Sequence, residues 1–97
     1  MIQLKLNYGP AFSNLTKKTK ENINFDKELT IKALFEYFYN KYGEKFNELV
    51  WDKNDPNDFH KQLVIILNGQ TFRDEKYLET PLKDGDDISF LYVYFGG

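Results

Sequence analysis

Polar and apolar residues alternate over residues 2–8 (IQLKLNY). Ile2, Leu4, Leu6 and Tyr8 fall on one face and Gln3, Lys5 and Asn7 on the other. This period of two predicts a half-buried strand. Gly9 and Pro10 end it, because proline has no N–H for a ladder and glycine relaxes the backbone. Residues 11–20 read as a loop with a basic stretch at Lys17, Lys18 and Lys20. Alternation returns over residues 21–26 (ENINFD), with Ile23 and Phe25 inward. The first two strands are therefore expected to form an antiparallel hairpin with a long, open connection.

The period then changes. Ile31, Leu34, Phe35, Phe38 and Tyr42 recur at i, i+3, i+4, i+7 and i+11, one apolar stripe on a helix of about three turns. Thr30 precedes it as an N-cap, its hydroxyl placed to accept from an orphan N–H of the first turn. Gly43 stands where a left-handed C-terminal residue is wanted. Phe46, Leu49, Val50 and Trp51 predict a second short helix, with Phe46 and Trp51 read as its core-facing side and a contact patch as the alternative. Residues 52–58 (DKNDPND) are an exposed turn.

Residues 62–67 (QLVIIL) are continuously apolar, as in a central strand buried on both sides. Asn68 and Gly69 follow as a hairpin turn, since both tolerate positive φ. Residues 70–73 return as a short strand. Residues 78–87 (LETPLKDGDD) are irregular, with a tight turn at residues 83–86. Residues 88–95 (ISFLYVYF) form the last strand, with Ile88, Phe90, Tyr92 and Tyr94 on one face and Leu91, Val93 and Phe95 on the other.

Strand, strand, helix, strand, short strand, strand is an order that closes as a mixed sheet of about five strands around one main helix. Right-handed crossover limits where the third strand lands. The expected fold is a β-grasp (ubiquitin-like) domain of the α+β class. Its final strand lies in the sheet centre beside the first, so that the C-terminus leaves the body of the domain. The 97 residues make a single domain, 1–97, with a flexible tail over about 94–97.

Composition narrows the function. Nine Phe and seven Tyr supply large side chains for a small core. A formal net charge of -2, with both signs mixed along the chain, provides no basic field for nucleic acid or an anionic membrane. There is no cysteine, which excludes a disulfide framework, a cysteine nucleophile and a thiolate metal site. If the protein handles sulfur, a cysteine side chain does not carry it. The N-terminus lacks a signal-peptide core, and no apolar run approaches the roughly 18 residues of a membrane span. The expected location is the cytoplasm.

The C-terminal third, with "ILNG", "LETPLKDGDDISFL" and a final "GG", resembles the ThiS and molybdopterin-synthase small-subunit (MoaD-like) family of ubiquitin-like sulfur carriers. The helical segment "LTIKALFEYFYNKYG" resembles the family's helix in place and pattern. Leu15 and Thr16 match best in the loop after the first strand. Length favours the molybdopterin-synthase branch. The sequence departs from the family at Ser13, where an arginine is common, at Tyr92 and Val93, where two prolines are common, and at Phe95, where a small residue is usual.

The resemblance implies that the functional group is the carboxylate of Gly97. In the family it attacks the α-phosphate of ATP bound by an adenylating, E1-like enzyme. The acyl-adenylate then becomes a thiocarboxylate, which donates sulfur to a molybdopterin-synthase large subunit or another acceptor. Gly96 and Gly97 suit such a tail because a residue without a Cβ enters a narrow channel and takes strained angles at low cost. The chain binds no cofactor itself, and ATP belongs to the activating partner. It is non-catalytic alone and a possible subunit of a sulfurtransferase. Tyr94 and Phe95 are expected to dock against a partner during transfer.

An alternative reading is a ubiquitin-like modifier that forms isopeptide bonds through the same C-terminus. A third is a non-covalent β-grasp module with an incidental tail. Other candidate residues read as structural. His60, the only histidine, is expected to be exposed. Asp84, Asp86 and Asp87 surround one glycine without the pattern of a calcium loop, and no metal is expected. Ser13 and Thr16 have no base to activate them.

Overall fold

The computed structural model describes residues 1–52, 59–60, 62–72 and 78–92. In chain order its elements are β1 (Ile2–Tyr8), α1 (Pro10–Thr16), β2 (Lys20–Phe25), β3 (Leu29–Thr30), α2 (Ile31–Tyr42), α3 (Glu44–Val50), β4 (Leu63–Leu67), β5 (Gln70–Phe72), β6 (Pro81–Leu82) and β7 (Asp87–Tyr92). Five strands form one mixed sheet in the order β2-β1-β7-β4-β5. β3 and β6 pair separately, Leu29 opposite Leu82 and Thr30 opposite Pro81. The arrangement is a ubiquitin-like β-grasp in the α+β class.

The alternation in β1 is realised without slippage. Ile2, Leu4, Leu6 and Tyr8 are all buried. β1 pairs antiparallel with β2, Leu4 opposite Ile23, and parallel with β7, Leu6 beside Ile88. β7 therefore holds the centre, as expected, and β4 is its antiparallel neighbour, with Ile65 opposite Phe90. β4 lies one place off centre, yet both its faces are covered: Leu63, Ile65 and Leu67 join the core, and Val64 is buried on the opposite side. Asn68 (φ 50°) and Gly69 (φ 87°) turn β4 into β5, both in the left-handed region that a two-residue hairpin of this hand requires.

α2 lies on the inner face of the sheet. Ile31, Leu34, Phe35 and Phe38 bury its apolar stripe, and Thr30 caps it by accepting from the Ala33 N–H at 3.2 Å. Gly43, at φ 77°, ends α2 and directly begins α3. α3 buries Phe46 and Val50, and Trp51 stands just past its end.

Residues 11–20, read as a loop, are the main correction. Residues 10–16 are the helix α1. Pro10 has its φ preset for a first turn and lacks an N–H that would go unused there. Phe12 and Thr16, four apart, are buried on one side, with Leu15 partly buried between them. Lys17, at φ 65°, closes the helix with its N–H on the Ser13 carbonyl at 2.7 Å. The lysines then form the exposed turn into β2. The β3–β6 pair was also unforeseen. Two residues on each side are too few for a period to register.

Candidate functional site

Every sequence-predicted site residue, Tyr94, Phe95, Gly96 and Gly97, lies outside the described residues, as does the expected tail over 94–97. The structure does describe the end of the sheet to which β7 delivers the chain. The register of β1 against β7 places Tyr8 beside Phe90 there.

This end is built of stacked rings. Phe90 is fully buried and meets Tyr8 face to face (centroids 6.1 Å apart), Phe38 edge-on (5.7 Å) and Phe12 at a tilt (5.5 Å). Gly9 turns the chain from β1 into α1 directly over β7. Its N–H donates to the Phe90 carbonyl at 2.9 Å. A Cβ on Gly9 would stand 3.1 Å from Leu91 Cδ2 and 3.2 Å from the Phe90 carbonyl oxygen, so only glycine fits without displacement. From sequence, Gly9 showed only as a strand breaker.

Tyr92 is the last described residue of β7. Its backbone pairs with Leu63, and its ring stacks on His60 at 4.9 Å and 16° and meets Phe12 edge-on at 5.5 Å and 82°. Its hydroxyl donates to the Leu49 carbonyl. His60, expected to be exposed, is half-buried instead. Its N–H donates to the Val50 carbonyl at 2.6 Å, and its Nδ1 accepts from the Gln62 N–H at 3.1 Å. A lone histidine beside a polar stretch gave no sign of this, because the ring it stacks on is 32 positions away by the numbering.

On the inner side of the same end, the Tyr8 hydroxyl donates to Glu21 Oε2 at 2.6 Å. Burial, followed by the bond and charge of Glu21, pushes the Tyr8 phenol far above the usual tyrosine range. At the surface, the Tyr39 hydroxyl donates to Glu44 Oε1 at 2.9 Å, and that bond raises its pKa.

The opposite end of the sheet carries the acidic turn. Gly85, at φ 87°, makes the tight turn predicted at residues 83–86, and the Asp86 N–H reaches the Lys83 carbonyl at 3.1 Å. The carboxylates serve the backbone and its neighbours. Asp84 Oδ1 accepts from the Gln3 N–H (2.8 Å), Asp86 Oδ2 from the Lys83 N–H (2.8 Å), and Asp87 Oδ1 from Asn7 Nδ2 (2.6 Å). Among the described residues no three His, Asp or Glu side chains gather as metal ligands. Ser13 donates to the Pro10 carbonyl, and Thr16 is engaged with the backbone of Lys18. Phe46 is core, and half-buried Trp51 borders a groove of 390 Å³ with Phe35, Tyr39 and Leu78.

No curated protein matches the sequence. Solved structures of the same fold include CysO from Mycobacterium tuberculosis, with a TM-score of 0.74 at 20% identity, covering 94% of this chain and 99% of that one. The small archaeal modifier protein 1 of Haloferax volcanii gives 0.72 at 8% identity, covering 97% and 100%. A protein described as molybdopterin converting factor subunit 1, from Pyrococcus furiosus, gives 0.69 at 21% identity, again covering 97% and 100%. The ThiS family itself matches residues 11–97, nine-tenths of the sequence. The chain belongs to the ThiS family.

Proposed function

We propose that this chain is a sulfur carrier of the molybdopterin-synthase small-subunit type, acting in molybdenum or tungsten cofactor biosynthesis. A Gly97 carboxylate oxygen attacks the α-phosphate of ATP held by an activating enzyme, and pyrophosphate leaves. A sulfur nucleophile then attacks the acyl carbon, AMP leaves, and Gly97 ends as a thiocarboxylate. Inside a synthase large subunit this group gives up its sulfur. The partners position and activate, and the carrier presents. Tyr94 and Phe95 dock against those partners while Gly96 and Gly97 occupy the channel. The protein works in the cytoplasm, where ATP and both enzymes are available. No described helix is long and apolar enough to cross a membrane.

The observation that carries this reading is the central β7. Family membership extends through residue 97, and β7, the central strand of the sheet, immediately precedes that segment in the chain. The similarity to the Pyrococcus furiosus protein supports the molybdopterin branch. The test is incubation with the cognate activating enzyme, ATP and a sulfur source. The expected product gains the mass of one oxygen-to-sulfur exchange at the C-terminal residue, and no gain would refute the proposal. Changing Tyr94 and Phe95 together to Ser is expected to weaken binding to both partners without unfolding the domain. Unchanged affinities would remove the docking role.

A second reading is favoured by the similarity to small archaeal modifier protein 1 and to Urm1 from Trypanosoma brucei. On this reading the same activated carboxyl forms an isopeptide bond with a lysine of another protein. Gly-Gly remnants on lysines of other proteins would support it, and a stable complex with a synthase large subunit would support the first.

A further inference from the structure

β2 is an edge strand: among the described residues it pairs with β1 alone. Which of its backbone groups stay free follows from the ladder. The Tyr8 N–H donates to the Thr19 carbonyl at 2.8 Å. The register continues with Leu6 opposite Glu21, Leu4 opposite Ile23 and Ile2 opposite Phe25. In an antiparallel ladder, pairs that exchange hydrogen bonds alternate with pairs that do not. Glu21, Ile23 and Phe25 therefore turn their N–H and C=O groups toward β1. Those of Lys20, Asn22 and Asn24 point away from the sheet.

The side chains along this edge are ordered by charge. Lys20 opens β2, Asn22 and Asn24 follow on the same face, and Asp26 comes directly after the strand; all four are exposed. Among the described residues the one ion pair is Lys18 with Glu21, so neither Lys20 nor Asp26 has a charged partner there. On the other face Ile23 and Phe25 are only half-buried, although Phe25 meets the Tyr37 ring edge-on at 5.2 Å.

A free row of donors and acceptors is a template for another strand. For a second copy of this chain, a two-fold axis fixes which residues meet. With the axis at Ile23, Asn22 stands opposite Asn24 of the copy, and Lys20 stands opposite the copy's Asp26. These pairs join the residues whose backbone groups are free. The same register sets opposite charges face to face twice and lays Ile23 against its own counterpart, both favourable cross-strand pairings. Moving the axis by one residue sets Asn24 or Glu28 opposite Lys20. Asn24 is uncharged, and Glu28 lies past the bend at residues 26–27. An edge lysine ordinarily discourages pairing. Here it discourages foreign strands and suits the chain's own copy.

We propose that β2 pairs antiparallel with β2 of a second copy of this chain, about a two-fold axis at Ile23, joining two five-stranded sheets into one. The contact is isologous, the same patch serving both partners. β1 lies between β2 and β7, so the pairing leaves β7 and its ring contacts untouched. It does not depend on the carrier reading. Two strand edges bury little area, so the dimer is of the weak, concentration-dependent kind.

The experiment uses the full chain at low salt, in sedimentation equilibrium over a concentration series into the millimolar range. The average mass should rise from one chain toward two. Over the same series, hydrogen exchange at the Asn22 and Asn24 amides should slow. Lys20→Glu and Asp26→Lys each turn two attracting pairs into repelling ones and should weaken the dimer about tenfold. The double variant carrying both changes restores opposite charges and should regain wild-type association. Lys45→Glu, an exposed change of the same charge on α3, should leave association unaltered. A mass of one chain at every concentration would overturn the proposal, even if another protein's strand protected the Asn22 and Asn24 amides. Association that is insensitive to both single variants, or not restored by the double variant, would overturn it as well.

Discussion

The two ends of the central sheet are held by different physics. At one end, where β1 and β7 finish, Tyr8, Phe12, Phe90 and Tyr92 interlock as rings, and Gly9 lets two backbones approach. At the other, where β1 and β7 begin, carboxylates of Asp84, Asp86 and Asp87 accept from Gln3, Lys83 and Asn7 around a glycine turn. Asn68 joins them from the β4–β5 turn. Its Nδ2 donates to Asp86 Oδ1 and its Oδ1 accepts from the Asp87 N–H, each at 2.9 Å. Ring packing excludes water and resists small displacements, because every gap forfeits contacts. Exposed hydrogen bonds compete with water and contribute less each, but they fix register. The end at which β7 finishes is the ring-packed one, and the end that sets strand alignment is the polar one.

Substitutions at the two ends should separate these contributions. Phe90→Ala at the ring end empties space between Tyr8, Phe12 and Phe38 and should cost about 3–5 kcal/mol in urea unfolding. A loss below about 1 kcal/mol would mean that the rings do not hold that end. Asp86→Ala at the polar end removes two accepted bonds and should cost roughly 1–2 kcal/mol. The shift should appear as a lower urea midpoint with an unchanged slope. A larger loss at Asp86 than at Phe90 would invert the comparison.

The smallest effect is invisible at neutral pH. The Tyr8 phenol is neutral in the fold and has its pKa raised by burial and by Glu21. A raised folded value means that its contribution is complete below the unfolded tyrosine pKa of about 10 and is lost as pH rises above it. Spectroscopic titration should therefore show one of the seven tyrosines ionising only as the protein unfolds in alkali. Tyr8→Phe should abolish that step. A Tyr8 that titrates freely near pH 10 in the folded protein would refute it.

The polar end was largely legible in the sequence. Asn68-Gly69 and the turn at residues 83–86 announce themselves by residue type, since positive φ is a local demand. The β1 alternation and the α2 stripe were legible for the same reason: period is a local property. The ring end was not. α1 looked like a loop because seven residues hold barely two turns, and its helical state depends on Phe12 finding Phe90, 78 positions away by the numbering. His60 looked exposed because its partner, Tyr92, is 32 positions away in sequence. The resemblance to sulfur carriers gave the family. It could not give the ring cluster of Phe12, His60 and Tyr92, whose members lie far apart in the sequence.

One further consequence lies in the strand order. β1 with β2 and β4 with β5 are each hairpins, closed by contacts between neighbours in sequence. β7 alone joins them into one sheet. Its pairing with β1 spans some of the longest separations in the chain, such as the 82 positions from Leu6 to Ile88. Contacts of such high order form late and carry the loop-closure cost of everything between. Without β7 the β1–β2 and β4–β5 pairs share no strand. The strand that immediately precedes residues 93–97 is thus also the one on which closure of the whole sheet depends.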